Sequence, residues 1–268
     1  MSSAATPHAS ATLITAPATA PVLRTHGLAK RFGSFDAVSD VSLSFAPGAR
    51  HALIGPNGAG KTTIINLLTG VFPPTAGSVF LRERDITALP QHVRVKSGMT
   101  RTFQINTLFP GLTALESVVL AICERQGRAG VWRTTVARQA EAIDEAIALL
   151  ESLRLASERN EETRNLAYGK QRLLEIALAL ATRPAILLLD EPAAGIPSAE
   201  SAELFGVIAG LPRDVTIVFI EHDMELVFRF AERITVLVAG KVLTEAAPAE
   251  VAADPRVREV YLGEAQHG

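Results

Sequence analysis

Apolar residues along this chain fall into two strand-like patterns, and the difference predicts two kinds of sheet. Val22-Leu23-Arg24-Thr25 and Val41-Ser42-Leu43-Ser44-Phe45 alternate apolar with polar positions, as half-exposed antiparallel strands do. Ser78-Val79-Phe80-Leu81 adds a third strand to that layer, after the turn Pro73-Pro74-Thr75-Ala76-Gly77. Ile186-Leu187-Leu188-Leu189 and Val215-Thr216-Ile217-Val218-Phe219-Ile220 are instead continuously apolar, which suits parallel strands buried on both faces. Ile234-Thr235-Val236-Leu237-Val238 is a further strand, closed by a turn at Ala239-Gly240-Lys241. From Pro90 to about Arg183 the pattern becomes helical. Ala140, Ile143, Ile147 and Leu150 share one helix face with Glu141, Asp144 and Glu145 opposite, and a second apolar helix runs from Leu173 to Ala181 and stops before Pro184. The order predicts an α/β fold: a core of parallel strands, an antiparallel β layer, and a long helical insertion over about 90–183. Folded structure should begin near Val22, because residues 1–21 are rich in Ala, Ser, Thr and Pro and read as a disordered tail.

One stretch gives the core a ligand. Gly55-Pro56-Asn57-Gly58-Ala59-Gly60-Lys61-Thr62-Thr63 has the form G-x-x-x-x-G-K-[ST], follows the apolar run Ala52-Leu53-Ile54 and leads into Ile64-Ile65-Asn66-Leu67-Leu68. That is the strand–loop–helix setting of a phosphate-binding loop. Its glycines let successive N–H groups converge on phosphate oxygens, and the helix that follows points its unpaired N-terminal donors at the same place. Lys61 would reach the β- and γ-phosphates of a nucleoside triphosphate, and the Thr62 hydroxyl would ligate Mg²⁺.

A second motif brings reaction chemistry. Asp190 ends the run Leu187-Leu188-Leu189, where a Walker B aspartate holds Mg²⁺, and the adjacent Glu191 is suited to polarise a water aimed at the γ-phosphate. His222 follows the strand ending at Ile220-Glu221, at the carboxyl edge of the same sheet, where ligands of open α/β sheets bind. By position alone a structural role for this histidine is equally consistent.

Composition narrows the partners. With 26 Lys and Arg against 28 Asp and Glu the net charge is −2, and no basic stretch marks a nucleic-acid surface. The single cysteine, Cys123, excludes a disulfide framework and reads as a small buried hydrophobe. No apolar run is long enough to span a membrane, and residues 1–21 lack a basic region followed by an apolar one, so we expect a cytoplasmic chain.

From Val22 onward the chain resembles the nucleotide-binding subunits of ABC transporters. Beside the two motifs above, Arg101-Thr102-Phe103-Gln104, Leu166-Ala167-Tyr168-Gly169-Lys170-Gln171 and Glu221-His222-Asp223 look like the Q-loop, the ABC signature and the H-switch, in the family's order. The resemblance implies a P-loop NTPase (RecA-like) core with an antiparallel β subdomain and an inserted α-helical subdomain, spanning 22–244. It also implies ATP and Mg²⁺ as ligands. Gln104 would contact Mg²⁺ and the attacking water, Glu191 would be the general base, and His222 would contact the γ-phosphate. Phe32 matches the aromatic that stacks on adenine, with Phe35 a weaker candidate. Two such domains would pack head to tail, so that Ala167, Tyr168, Gly169 and Lys170 face the partner's ATP. Membrane permease subunits and, indirectly, a solute-binding protein would complete the assembly, peripheral to the cytoplasmic face of the inner membrane. Phe109 and Leu112 lie in the segment that would receive the permease.

Narrower features are similar to the branched-chain amino acid importers: Leu108-Phe109-Pro110, Glu191-Pro192-Ala193-Ala194-Gly195, Glu221 to Val227, Pro248-Ala249-Glu250-Val251 and Tyr261-Leu262-Gly263, the last two in a C-terminal tail over 245–268. Close relatives handle urea or short amides, and lipopolysaccharide-export ATPases are a further alternative. Two positions depart from the family. Ala167 replaces the signature serine, and losing a hydrogen bond to a charged group costs on the order of 1.5–3 kcal/mol. Lys170, in place of glutamine, would bring a positive charge that offsets part of this. Pro197 replaces the Asp or Asn of the D-loop and offers neither a side-chain acceptor nor a backbone N–H. Both departures fit a heterodimer whose partner supplies the better signature, and they also fit drift within a subfamily.

Overall fold

A computed structural model describes residues 20–102, 108–128 and 136–264. The chain enters through β1 (Leu23–Phe32), turns into β2 (Phe35–Val41), and reaches β4 (Arg50–Ile54) through the short β3 (Ser44–Phe45). Helix α1 (Lys61–Thr69) follows, then β5 (Ala76–Leu81), β6 (Arg84–Asp85), α2 (Gln91–Lys96) and β7 (Met99–Arg101). Three helices come next: α3 (Ala114–Arg125), α4 (Val136–Ser152) and α5 (Tyr168–Ala181). The core resumes with β8 (Ile186–Asp190), α6 (Ser198–Ala209), β9 (Thr216–Ile220), α7 (Met224–Phe230) and the hairpin β10 (Arg233–Val238) and β11 (Lys241–Ala246), before α8 (Pro248–Ala253) and α9 (Pro255–Glu264).

β1 is the centre of the antiparallel layer, pairing with β2, β3 and β5, and β6 extends it. The main sheet has the order β11-β10-β4-β9-β8-β7, with parallel pairing from β10 to β7 and β11 antiparallel at one edge. Alternation along the buried strands divides the core in two. Ala52, Ile54, Leu187, Leu189, Ile217 and Phe219 point to one face, where helices of the insertion and α6 and α7 cover them. Leu53, Leu188, Val218 and Ile220 point to the other, against α1 and the antiparallel layer. The continuous apolar runs thus have the double-sided burial that they predicted.

Four strands, β2, β6, β7 and β11, lie where the sequence pattern showed none. β7 falls in the stretch read as helical, yet Met99, Thr100 and Arg101 pair in parallel with Ile186, Leu187 and Leu188. At three residues it is too short for any periodicity to register. β6 has only two residues, β2 places the buried Ala37 and Val38 side by side, and β11 is half-buried along most of its length, so none of them alternates cleanly. The face of α4 is also rotated from the expected one. Ala142, Ala146 and Leu150 are fully buried, whereas Ala140 is exposed and Ile143 is 39% exposed. Alanines at the contact let α4 lie close to its neighbours, and apolar size therefore misidentified the inner face. Glu145, expected on the outer face, is held by a two-pronged contact from Arg125, both bonds 2.8 Å, and by Arg183.

The helix behind the phosphate loop is anchored at its far end. Arg94 is 1% exposed and donates to the carbonyls of Leu67 and Leu68 at the end of α1, at 2.7 and 2.5 Å, and to those of Thr87 and Leu89, both at 2.8 Å. Its positive charge suits the carbonyl end of the helix that begins at Lys61.

Candidate functional site

β4 ends where the loop begins, and the loop's shape needs glycine at two points. A Cβ on Gly55 would lie 2.2 Å from the Leu237 carbonyl oxygen of neighbouring β10. Gly60 has φ 98°, and a Cβ there would lie 2.7 Å from the Ala37 carbonyl of the antiparallel layer. Gly60 is also the N-cap of α1, which receives no side-chain cap, so the first-turn N–H donors of the helix are left for a ligand. Lys61 is buried, and its ammonium donates to the Gly55 and Pro56 carbonyls at 2.5 and 2.9 Å, inside the curl of the loop. Thr62 is exposed at the mouth.

A cavity of about 250 Å³ lies over this loop, lined by residues 57–63 together with Phe35, Ala37, Glu191 and His222. Parallel order brings the last two there: Asp190 at the end of β8 is in register with Ile220 at the end of β9. Glu191 leaves β8 with φ 50° and donates its N–H to the Ile220 carbonyl at 3.0 Å. His222 Nε2 lies 2.6 Å from Glu191 Oε1. The loops after two strands, 31 residues apart in sequence, thus meet over the phosphate loop.

Two further residues, neither lining the phosphate cavity, hold the strand ends: Glu221 bonds the pair's own loops and Arg101 bonds the neighbouring Asp190. Glu221 is 6% exposed and accepts from the Ala193 N–H at 2.9 Å and the His222 N–H at 3.1 Å, one bond to each oxygen. Burial raises its pKa, against the lowering effect of those two N–H groups. It faces a second cavity of about 250 Å³, shared with Glu191, His222, Ile196 and Ser198. Arg101, at the end of β7, bonds Asp190 Oδ2 at 2.5 Å and Asn66 Oδ1 of α1 at 2.8 Å. Both residues stand within motifs of the sequence, where neither has an expected role of its own. Apart from the adjacent His222 N–H, their partners are 28 residues or more away in sequence, so no local pattern reveals them.

The remaining expected residues are distributed as follows. Phe103 and Gln104 lie outside the described residues. Phe32 and Phe35 are directly paired across the β1–β2 turn, 47% and 62% exposed. Phe35 lines the phosphate cavity, whereas Phe32 packs edge-on against Phe72 at 5.5 Å beneath the Lys30 ammonium. Ala167 is the N-cap of α5 and gives it no side-chain bond. Tyr168 is fixed by its hydroxyl, which donates to the Ala194 carbonyl at 3.2 Å and accepts from Arg172 at 3.1 Å. Gly169 follows in the first turn. Lys170 does not add a free charge there: its ammonium donates to the Arg154 carbonyl at 3.0 Å and lies 3.7 Å from Glu158. The charge expected to offset the lost hydroxyl is thus shared with groups of this chain. Pro197 is the N-cap of α6, and its carbonyl accepts from the Ser201 N–H at 2.9 Å. Phe109 is 59% exposed, Leu112 is half-buried, and Cys123 is half-buried and free.

A glycine loop capped by a helix N-terminus, facing a carboxylate–histidine pair across a parallel sheet, defines a P-loop nucleotide-binding ATPase site. Residues 38–194 match the family described as ABC transporter, and residues 241–267 match the one described as branched-chain amino acid ATP-binding cassette transporter. The chain belongs to the ABC transporter family, as one of its ATP-binding domains. It is 43% identical to the high-affinity branched-chain amino acid transport ATP-binding protein LivG of Salmonella typhimurium, over 91% of this chain and 99% of that one. It is 41% identical to the corresponding protein BraF of Pseudomonas aeruginosa, with the same coverage. A solved ATP-binding cassette of an ABC transporter in its ADP conformation superimposes with a TM-score of 0.79 and 30% identity, over 91% of this chain and 100% of that one.

Proposed function

We propose that this chain is the ATP-hydrolysing motor of an importer for branched-chain or other hydrophobic amino acids. The observation that carries the catalytic half is the Glu191–His222 pair facing the phosphate loop. The substrate class rests on the named relatives and on the C-terminal match over residues 241–267. ATP lies with its phosphates over residues 57–63, Lys61 swings from the Gly55 and Pro56 carbonyls to the β- and γ-phosphates, and the hairpin bearing Phe32 and Phe35 meets the adenine. Glu191 accepts a proton from a water whose oxygen attacks the γ-phosphorus. The bond from that phosphorus to the bridging oxygen breaks, leaving ADP and phosphate. His222 donates to the γ-phosphate and keeps the Glu191 carboxylate turned toward the water.

Mg²⁺ suits the donor set. Among the described residues no cluster of three or more His, Cys, Asp or Glu could hold a metal alone. Thr62 and Asp190 would hold the ion, with Gln104 added from outside the described residues, and phosphates and waters would complete the shell as Mg²⁺ prefers. The ion would neutralise charge on the β- and γ-phosphate oxygens.

The site is half of a cage. Ala167, Tyr168, Gly169 and Lys170 are on the outward end of α5, away from this chain's own phosphate loop in sequence and element, and face the ATP of a second ATPase subunit. Permease subunits bind near Phe109 and Leu112 and place the motor on the cytoplasmic face of the membrane. No helix among the described residues is long and apolar enough to cross a membrane, which agrees with a peripheral attachment. A solute-binding protein delivers the amino acid from the other side.

Affinity purification from membranes, followed by reconstitution in proteoliposomes with the co-purified subunits, tests this reading. ATP-dependent accumulation of labelled leucine or valine that is lost with Lys61→Ala is the expected result. Co-purification with lipopolysaccharide-export subunits, or uptake of urea or a short amide instead, would overturn the substrate class.

A further inference from the structure

We infer that Arg101 is a positioning residue for the Mg²⁺-binding carboxylate, a three-way clamp that sets how tightly the site takes the ion. The inference rests on the reading of Asp190 as a metal-holding residue and adds the group that orients it. The guanidinium spans two elements: one nitrogen donates to Asp190 Oδ2 at 2.5 Å, the other to Asn66 Oδ1 at 2.8 Å. Asp190 ends the strand that precedes Glu191, and Asn66 lies in α1, the helix that begins at Lys61. Arg101 itself ends β7, whose next residue, Thr102, still pairs with the sheet through its N–H to the Leu188 carbonyl at 3.0 Å.

The side chains of Arg101 and Asp190 are 17% and 21% exposed, so this pair is only weakly screened by water. A carboxylate with one oxygen fixed by a charged donor keeps its second oxygen in a defined direction. For a magnesium held through water by a single protein carboxylate, that direction governs affinity, and partners that orient metal ligands commonly change it 10–100-fold. Only a planar fork reaches both Asn66 and Asp190 from one backbone position. Lysine could hold one of them but not both. A shift of β7 would move the guanidinium and with it Asp190.

The test measures binding rather than turnover. Fluorescent ATP-analogue binding is titrated with Mg²⁺ in the wild type, Arg101→Ala, Arg101→Lys, Asn66→Ala and Asp190→Asn, with EDTA samples as the metal-free reference and circular dichroism as the check on folding. The Mg²⁺ concentration for half-maximal enhancement should rise about tenfold in Arg101→Ala. It should rise less in Asn66→Ala, and Arg101→Lys should not restore the wild-type value, while binding in EDTA stays unchanged. A folded Arg101→Ala or Arg101→Lys protein with wild-type Mg²⁺ dependence overturns the clamp. If Arg101→Ala does not fold, Arg101→Lys and Asn66→Ala decide it. Asp190→Asn separates the two claims: wild-type Mg²⁺ dependence in that variant would overturn the metal assignment itself, whereas a rise in Asp190→Asn without one in the Arg101 variants would overturn only the clamp.

Discussion

His222 Nε2 and Glu191 Oε1 lie 2.6 Å apart, joining the loops after β9 and β8 directly over the phosphate loop. Both side chains are about half exposed, so the bond contributes little to stability and its weight falls on orientation. Removing the imidazole should leave nucleotide binding nearly intact and misdirect the carboxylate. We expect His222→Ala to lower kcat by about 100-fold, within the range for acid–base groups, with ATP Kd within about threefold of wild type. Single-turnover hydrolysis and equilibrium binding on the same preparation separate the two effects.

Glu221 should act on the same pair from behind. Each of its oxygens accepts one backbone N–H, from Ala193 and from His222. Glu221→Gln keeps the size but replaces one acceptor by a donor, leaving a buried N–H unsatisfied at a cost of about 1–3 kcal/mol. Melting temperature and kcat should both fall, with KM for ATP little changed. An unaltered melting curve would show that these bonds do not hold the loops.

The signature position predicts a gain. Ala167 caps α5 without a side-chain bond, and a serine there could accept an N–H of the first turn while its own proton remains available to a phosphate. Ala167→Ser should stabilise the protein by about 1 kcal/mol, raising Tm by about 2–4 °C. If the partner's phosphate lacks this hydroxyl in the wild type, the variant should also hydrolyse ATP several-fold faster as a homodimer. Cooperative wild-type turnover that Ala167→Ser does not improve would remove the argument for a heterodimer and leave drift within the subfamily.

A buried histidine outside the site makes stability depend on pH. His51 is 1% exposed in β4, edge-on to Phe45, and its pKa is lowered from 6.5 to about 4, chiefly by burial and also by the nearby Arg233. Thr235 gives its hydroxyl proton to Glu245 and so accepts from His51 Nε2–H at 2.8 Å, which fixes a neutral tautomer. A folded pKa below the unfolded one means that unfolding takes up a proton. The stabilisation is full above the unfolded value near 6.5 and disappears as pH falls through about 4. Between pH 7 and pH 5 the wild type should lose about 2 kcal/mol more than His51→Gln, measured by urea unfolding. Equal losses would mean that His51 is not neutral in the fold.

The chemistry of this site was more legible in the sequence than its scaffold. Gly55 to Thr63, Asp190, Glu191 and His222 are local signals, because a glycine loop or a polar residue ending a buried strand needs no distant partner to be noticed. Arg101, Glu221 and Arg94 act through atoms far away in sequence, and only folding brings those atoms together. The inner face of α4 was misread because close packing selected Ala142 and Ala146 over the larger Ile143. The partners of the Lys170 ammonium, the Arg154 carbonyl and Glu158, come beside it only through folding.

If Glu191 takes the proton from the attacking water, as we propose, Glu191→Gln should separate ATP binding from hydrolysis. The amide preserves shape and hydrogen bonding to His222 but cannot act as a base. ATP should bind as in the wild type, hydrolysis should fall by about 100-fold or more, and an ATP-bound dimer should accumulate in size-exclusion chromatography. Hydrolysis at the wild-type rate in Glu191→Gln would contradict that role.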